Sequence, residues 1–196
     1  MGSRSIVYVD GFNLYYGMLK NTPYRWLNLE KLFRMLRQDD DIQEISYFTA
    51  LVDDPPSEDQ RTYLAALGTR ALIRIVEGKF KTREVRCRVK ECRYKGSKIF
   101  RAPEEKRTDV NIALCMLDDA YRDRADRLIL VSGDSDLVPA VERIKERFSN
   151  KRLTLYVPAP TRVHVRAAAR ELRSAVDKHR TLPMAAIRRA QFPPVV

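Results

Sequence analysis

The stretch that most constrains the fold runs from Arg127 to Asp136, where an apolar run ends in two aspartates. Residues 128–131 are branched aliphatics in a run too short for a helix core, which predicts a buried strand of a parallel sheet. Gly133 then turns the chain. Ligands of open parallel sheets bind beyond the carboxyl ends of the strands, so Asp134 and Asp136 are predicted to lie where function resides.

A helix is predicted directly after this strand. Its apolar positions fall on one helical face, and Pro139 fits only the first turn of a helix; these positions are Leu137, Val141, Ile144 and Phe148. Asp is a preferred N-cap residue, so an alternative interpretation is that one of the two aspartates only caps this helix. One cap leaves the second acid unexplained.

The first predicted strand also delivers an aspartate at its carboxyl end. The apolar run from Ser5 to Val9 ends in Asp10, and Gly11, Phe12 and Asn13 follow. In a parallel sheet Asp10 and Asp134 converge at the same edge. The alternative is a simple turn in which Asn13 caps the following helix.

Helical and strand patterns alternate along the rest of the chain. A helix is predicted around residues 29–36, a strand within 42–52, a helix opened by the capping box Ser57 to Gln60, and strands at 72–76 and 153–157. Such alternation predicts an α/β fold, a three-layer α/β/α sandwich with a mostly parallel central sheet. The domain is expected to span residues 4–180, and the Pro-containing tail at 181–196 is expected to be partly disordered or dependent on a partner.

The net charge of +11 is concentrated in two segments. Residues 79–107 hold twelve Lys or Arg against four acidic residues, and residues 159–196 hold eight against two, which leaves a net charge of −3 for the rest. Concentrated basic segments are typical of proteins that bind a polyanion, most often nucleic acid. The alternative is an ordinary solvated surface.

A basic β-hairpin insertion is predicted at residues 79–101. Val85, Cys87 and Val89 alternate with Arg86, Arg88 and Lys90, and the sequence at 95–97 offers a turn back. Cys87 and Cys92 lack a second pair of ligands nearby, so they support a zinc site only weakly. A second basic feature is a helical ridge formed by Arg162, Arg166, Arg170 and Arg173.

Asp109 opens another predicted helix, with Thr108 as its N-cap. The predicted apolar stripe consists of Val110, Leu114, Leu117 and Tyr121. Asp109 is in line with the small-residue edge of that stripe, at Ala113, Met116 and Ala120, so it is predicted to point toward the sheet. A carboxylate aimed inward needs a hydrogen bond, a cation or a metal ion to compensate its charge.

Four aspartates, Asp10, Asp109, Asp134 and Asp136, are therefore predicted to lie on one rim of one sheet. Two carboxylates ~4 Å apart repel by about 4 kcal/mol at an effective dielectric near 20, so the cluster needs a cation. All-oxygen ligands favour Mg²⁺ or Mn²⁺. Such an ion activates water and stabilises charge on a phosphoryl oxygen, which favours metal-dependent hydrolysis of a phosphodiester.

Three motifs in this order resemble those of the NYN domain family of the PIN-like nuclease superfamily. They are Val-Asp-Gly-Phe-Asn-Leu-Tyr-Tyr at 9–16, Glu-Lys-Arg-Thr-Asp-Val at 105–110 and Val-Ser-Gly-Asp-Ser-Asp-Leu-Val-Pro at 131–139. The resemblance covers roughly residues 4–180. It implies a PIN-like fold and a ribonuclease with an acidic metal site at Asp10, Asp109, Asp134 and Asp136.

We assign substrate contacts to polar and basic residues around this site, namely Asn13, Ser132, Lys106, Arg107, Arg86, Arg88, Lys90, Arg162 and Arg166. The expected partner is single-stranded or structured RNA, with a homo-oligomeric contact or a protein partner assigned to the tail. The alternative function is a non-catalytic RNA-binding module of the same fold. No run approaches the ~18 apolar residues of a membrane span, and three cysteines without a secretion signal predict reduced thiols and a cytoplasmic location.

Overall fold

The computed structural model describes residues 2–51, 57–159 and 169–193. Their centre is a six-stranded sheet made of β1 (Ser3–Asp10), β2 (Asp40–Thr49), β3 (Ile73–Glu77), β6 (Arg127–Val131), β7 (Arg152–Val157) and β8 (Lys178–Thr181). The strand order is β3-β2-β1-β6-β7-β8, and every neighbouring pair is parallel.

Helices cover both faces of this sheet. They are α1 (Gly11–Leu14) with a π-helical continuation (Tyr15–Leu19), α2 (Leu29–Leu36), α3 (Glu58–Gly68), α4 (Thr108–Tyr121), α5 (Val138–Arg147) preceded by a 3₁₀ turn (Ser135–Leu137), α6 (Arg170–Ala175) and α7 (Met184–Arg189). Within the described ranges, none of these helices has the length and apolar content needed to cross a membrane.

The side chains of β1 alternate between two buried cores. Val7 and Val9 pack with α1, α2, α3 and α7 on one face, whereas Ile6 and Tyr8 pack with α4, α5 and α6 on the other. A strand buried on both faces explains why its sequence is a continuous apolar run rather than an alternating one. This arrangement confirms the predicted three-layer sandwich.

The buried face of α4 differs from the predicted stripe. Val110, Leu114 and Tyr121 are exposed, while Ile112, Met116 and Ala120 are buried. The same buried face carries polar Asp119, whose carboxylate accepts hydrogen bonds from Tyr8 Oη at 2.8 Å and from Arg124 Nη1 at 2.7 Å. These hydrogen-bond partners allow Asp119 to lie on the core side of the helix. Because Asp119 is charged, the buried face appears less apolar in the sequence than the exposed face.

Two further strands, β4 (Lys79–Arg86) and β5 (Ile99–Lys106), form a separate antiparallel ladder. Arg86 lies at the far end of β4, and exposed Arg88 and Lys90 lie in the connection at 87–98, which is not a strand. Val89 is 66% exposed, so the predicted strand alternation does not extend beyond Arg86. Cys87, Cys92 and Cys115 are free thiols, as expected.

Residues 181–193 differ from the prediction of a partly disordered tail. Ile187 and Phe192 are buried, and Leu27 pairs with Gln191 in an isolated antiparallel bridge. Asn28 N donates to Ala190 O at 2.7 Å. Contacts between segments so far apart in the chain leave no local signal in the sequence, so the Pro-containing composition suggests disorder instead.

Candidate active site at the strand ends

Asp10 and Ser132 end up side by side because of the register of the central sheet. Val9 is paired with Val131 across β1 and β6, so Asp10 and Ser132 are each the next residue along neighbouring strands. The strand order reverses direction at this pair of strands, since β2 and β3 extend to one side and β7 and β8 to the other. Such a switch point is where open α/β sheets bind ligands.

The Asp10 carboxylate is held by three hydrogen bonds. Asn13 N donates to Oδ1 at 3.0 Å, and Asn13 Nδ2 and Ser132 Oγ donate to Oδ2 at 2.7 and 2.9 Å. Asp10 is only 2% exposed and is also the N-cap of α1. The predicted alternative in which Asn13 caps this helix is therefore wrong, because Asp10 performs the capping.

Asn13 and Ser132 both hold the Asp10 carboxylate in place through hydrogen bonds. Ser132 is fully buried, and its Oγ also accepts from Asp134 N at 3.1 Å. Asn13 Oδ1 accepts from Gly133 N at 3.0 Å, and a Cβ on Gly133 would lie 3.2 Å from that oxygen. The prediction of a substrate contact is wrong for Ser132, since no solvent-facing surface remains on it.

Asp134 is the residue that caps the turn after β6. Its Oδ1 accepts from Asp136 N at 3.0 Å. Asp136 itself is exposed. From the sequence, either Asp134 or Asp136 could act as the cap. In the structure Asp134 is the cap, and the Asp136 side chain takes no part in capping.

Asp109 reaches the same rim from the first turn of α4. The chain turns sharply just before it, with Arg107 in the left-handed region at φ 79°, a conformation that costs a non-glycine residue about 1–3 kcal/mol. Arg107, not Thr108, occupies the N-cap position. Glu105, at the end of β5, lies close to the start of α4, because its Oε1 accepts a hydrogen bond from Thr108 N at 3.1 Å. Glu105 is therefore a second acid near Asp109.

The pKa values of Asp109 and Asp10 are both raised by their surroundings. Burial raises the pKa of Asp109 to about 6, aided by repulsion from Asp134, Asp10, Glu105 and Asp136. Burial also raises the pKa of Asp10, with a smaller contribution from Asp134 and opposition from its hydrogen bonds. The other three predicted aspartates therefore lie within electrostatic reach of Asp109, and Glu105 is a further nearby acid that sequence reasoning missed.

The donor set fits a hard divalent cation, although it is not arranged as a coordination sphere. Among the residues that the structure describes, no group of three or more His, Cys, Asp or Glu side chains has the spacing to hold a metal ion. From the sequence we expect Asp10, Asp109 and Asp134 to lie within about one coordination sphere of each other, with some spread when no metal ion is bound. The described residues do not bring the three into one such group. Their oxygen-only side chains are the ligand type that Mg²⁺ and Mn²⁺ prefer.

The raised pKa of Asp109 predicts a pH-dependent effect of Asp109→Asn without divalent ions. A folded-state pKa of about 6 against an ordinary 3.8 means that ionised Asp109 destabilises the fold progressively from about pH 4 to 6. After allowance for solvent screening of this half-exposed group, the variant should be more stable by about 1 kcal/mol at pH 8 and equal to the parent at pH 4.

Urea unfolding at the two pH values, in EDTA, measures this difference. Asp39→Asn, at an exposed aspartate next to the opposite end of β2, is the matched control and should change stability little at either pH. An equal effect of Asp109→Asn at pH 4 and pH 8 would contradict the electrostatic explanation.

The predicted basic contacts lie at different distances from this acidic cluster. Arg107 and Lys106 adjoin it, although Lys106 Nζ pairs with Glu104 Oε1 at 2.8 Å. The base of the hairpin is held near the site by an edge-on contact between Phe80 and Phe12, with ring centroids 5.5 Å apart. Arg86, Arg88 and Lys90 lie toward its far end, and Arg162 and Arg166 fall outside the described residues.

Sequence comparison identifies the family. The profile of the NYN domain matches residues 4–183, nearly the whole chain. This chain belongs to the NYN domain family. NYN domains are generally nuclease-like, and the three motifs that carry the resemblance supply Asp10, Asp109, Asp134 and Asp136.

Two other proteins are similar to this NYN domain. It is 30% identical over 192 aligned residues to 6-hydroxy-3-succinoylpyridine 3-monooxygenase HspA of Pseudomonas putida, a match that covers 79% of this chain and 59% of that protein. A protein of unknown function from Vibrio parahaemolyticus has a similar crystal structure, with a TM-score of 0.62 at 23% identity over 93% of this chain and 94% of that chain. The second likeness supports the fold alone.

Proposed function

We propose that this NYN domain is a divalent-metal-dependent ribonuclease that hydrolyses phosphodiester bonds within RNA. The observation that carries the proposal is the set of mutually repelling carboxylates at the switch point of the sheet, one of them fixed by three hydrogen bonds. Nuclease-like families of this kind usually use divalent metals. Oxygen-only side chains make Mg²⁺ or Mn²⁺ the preferred ions.

The residues proposed to hold the ion are Asp10, Asp109, Asp134 and Asp136. When bound, a divalent ion supplies an activated water and stabilises negative charge on the phosphoryl oxygens. Water adds to phosphorus and one phosphorus–oxygen ester bond breaks, which leaves a phosphate monoester and a free hydroxyl group.

The protein's own contribution to this reaction is the placement of its carboxylates. Asn13 and Ser132 fix the orientation of the buried Asp10 carboxylate, so its position does not depend on the substrate. The Asp134 side chain is oriented by its bond from Asp136 N at 3.0 Å. Partners that orient ligands in this way typically contribute 10–100-fold to metal affinity or activity, so Asn13 and Ser132 are expected to act as positioning residues for Asp10.

The charge distribution supports RNA as the substrate. An acidic site that hydrolyses a polyanion needs cations nearby to offset repulsion of the phosphates. The hairpin provides them, because twelve Lys or Arg lie between residues 79 and 107 and its base adjoins the carboxylates through Phe80 and Glu105.

A labelled single-stranded RNA incubated with the purified protein tests the proposal. We expect cleavage in Mg²⁺ or Mn²⁺, none in excess EDTA, and recovery when Mn²⁺ is added back. Salt-dependent RNA binding without turnover in any divalent ion would instead establish the alternative, a non-catalytic RNA-binding module. Cleavage that is indifferent to both EDTA and Asp109→Asn would contradict the metal mechanism.

The name of the Pseudomonas putida relative favours a second candidate, ring hydroxylation of a small pyridine. That relative is named a monooxygenase, but this chain spans only about 59% of its length. A monooxygenase needs molecular oxygen and a reductant, so consumption of oxygen in the presence of a reduced nicotinamide and a hydroxypyridine is the measurement that distinguishes it. We expect no oxygen uptake under conditions that support RNA cleavage.

A further inference from the structure

An open cavity of ≈ 360 Å³ lies beside the acidic cluster. It is formed by α1 and its π-helical continuation, the carboxyl end of β2, the start of α3 and the segment before α2. Six aromatic residues contribute to its described lining: Phe12, Tyr15, Tyr16, Trp26, Tyr47 and Tyr63. Its volume falls in the ~300–1,000 Å³ range of small-ligand sites.

The cavity is close to the Asp10 carboxylate along the chain. Gly11, which lines the cavity, directly follows Asp10 in the chain. A Cβ at Gly11 would lie 2.7 Å from both Oη and Cζ of Tyr47, so only glycine lets the phenol approach this closely. Burial and the negative charge of Asp10 together raise the pKa of Tyr47, which shows that its hydroxyl is within electrostatic reach of that carboxylate.

The described lining combines aromatic ring faces and edges with five polar or charged residues, which are Arg25, Thr49, Ser57, Asp59 and Gln60. Phe12 and Tyr16 are stacked at 17°, whereas the Tyr47–Tyr63 pair meets at 87°. Tyr63 Oη donates to Leu27 O at 2.8 Å, so this phenol is already committed to the protein. Six of the thirteen described lining residues are aromatic, so a planar heteroaromatic ring can stack within the cavity.

Charged groups at the mouth suit an occupant attached to a polyanion. Lys20 Nζ lies 4.7 Å from the centroid of the Tyr16 ring, and Tyr16 is 61% exposed. Arg25 pairs with Asp59 at 3.3 Å at the rim, with 50% of the Arg25 side chain exposed. A ring inserted here would leave its attached sugar and phosphates beside Lys20 and Arg25, while Asp59 offsets part of the Arg25 charge.

We propose that the aromatic cavity receives a nucleobase of the bound RNA next to the phosphate that is cleaved. The proposal rests on the proposed ribonuclease function and adds a base-binding subsite to it. Stacking of a base on aromatic side chains is tolerant of sequence, so the subsite selects unpaired nucleotides rather than one base. A paired base would first have to unstack and unpair before it could enter the cavity, so unpaired nucleotides are favoured.

Equilibrium binding in EDTA isolates this subsite from cleavage. The probes are a fluorescein-labelled oligouridine and the same oligouridine carrying one abasic ribose, moved through each position. Loss of the base at one position should weaken binding to the parent protein by about 5- to 100-fold. In Tyr16→Ala and Phe12→Ala, the intact and abasic probes should bind with nearly equal affinity.

Matched variants separate the cavity from general aromatic or folding effects. Tyr121→Ala removes an aromatic side chain that is 77% exposed on α4, so it should keep the full difference between intact and abasic probes. Circular dichroism melting checks that each variant is folded. If Phe12→Ala unfolds, Phe12→Leu replaces it in the assay, because leucine removes the aromatic ring but keeps an apolar side chain. An equal affinity for all abasic and intact probes in the parent protein would overturn the base-binding subsite.

Two further outcomes have separate meanings. Metal-dependent cleavage without any abasic effect would leave the ribonuclease standing and refute the subsite, whereas an abasic effect without cleavage would support the subsite and refute the ribonuclease. A third outcome would also overturn the proposal. If a free hydroxypyridine binds the parent protein but not Tyr16→Ala, and does not compete with RNA, the cavity is a site for a small ring instead.

Discussion

Asp10→Asn is expected to reduce metal-dependent RNA cleavage by more than about 100-fold. Orienting partners of a metal ligand are each worth about 10–100-fold, so removal of the ligand's charge should exceed that range. The substitution nearly preserves the shape of a side chain that is 2% exposed, which limits its effect on packing. Initial rates of RNA cleavage at saturating Mn²⁺ measure the loss.

Ser132→Ala separates positioning from ligation in the same assay. Ser132 Oγ donates to Asp10 Oδ2 at 2.9 Å, so its removal should lower activity by about 10–100-fold and raise the Mn²⁺ concentration needed for half-maximal rate. Higher Mn²⁺ should partly rescue Ser132→Ala and should not rescue Asp10→Asn. Asp39→Asn should retain the parent rate, and full activity of Asp10→Asn would contradict the assigned site.

Replacing Arg86, Arg88 and Lys90 by Ser should flatten the salt dependence of RNA binding. Each phosphate neutralised on a single strand contributes about −0.7 to the slope of log affinity against log salt, so the loss of three cations reduces the slope by roughly two units. Strand β4 rises about 3.4 Å per residue from Lys79 to Arg86, so these cations lie on the order of 20 Å from the hairpin base. They are expected to guide RNA several nucleotides from the cleaved bond.

Fluorescence anisotropy over a range of salt concentrations measures the slope. The control replaces Arg34, Arg122 and Arg143 by Ser, which removes the same charge from exposed positions outside the hairpin. The hairpin variant should weaken binding to different RNA sequences equally and leave Mn²⁺ affinity unchanged. An unaltered slope would mean that the three residues are ordinary solvated surface.

The placement of the strand-end acids is predictable because it depends on local patterns. Residues 128–131 form a short run of branched aliphatic residues that favours a doubly buried strand, and the parallel arrangement brings Asp10 next to the turn that carries Asp134. The three motifs are equally local, and their order along the chain is enough to indicate the family. These inferences need no knowledge of contacts between distant parts of the chain.

The wrong predictions and the missed features concern places that local sequence patterns do not determine. Asp119 is buried on α4 because Tyr8 and Arg124 satisfy it, so the face that looks polar is the core face. The 3₁₀ turn after β6 fixes which aspartate acts as the cap, a choice that composition leaves open. The aromatic residues of the cavity are dispersed between Phe12 and Tyr63, and only the fold assembles them.

Anomalous diffraction from crystals soaked in Mn²⁺ tests the central claim most directly. We expect a manganese peak between the carboxylates of Asp10 and Asp134, with Asp109 drawn toward it and the peak lost in Asp10→Asn crystals. Manganese bound only elsewhere on the protein, with these carboxylates unchanged at saturating Mn²⁺, would contradict the assignment of this acidic cluster as a catalytic metal site.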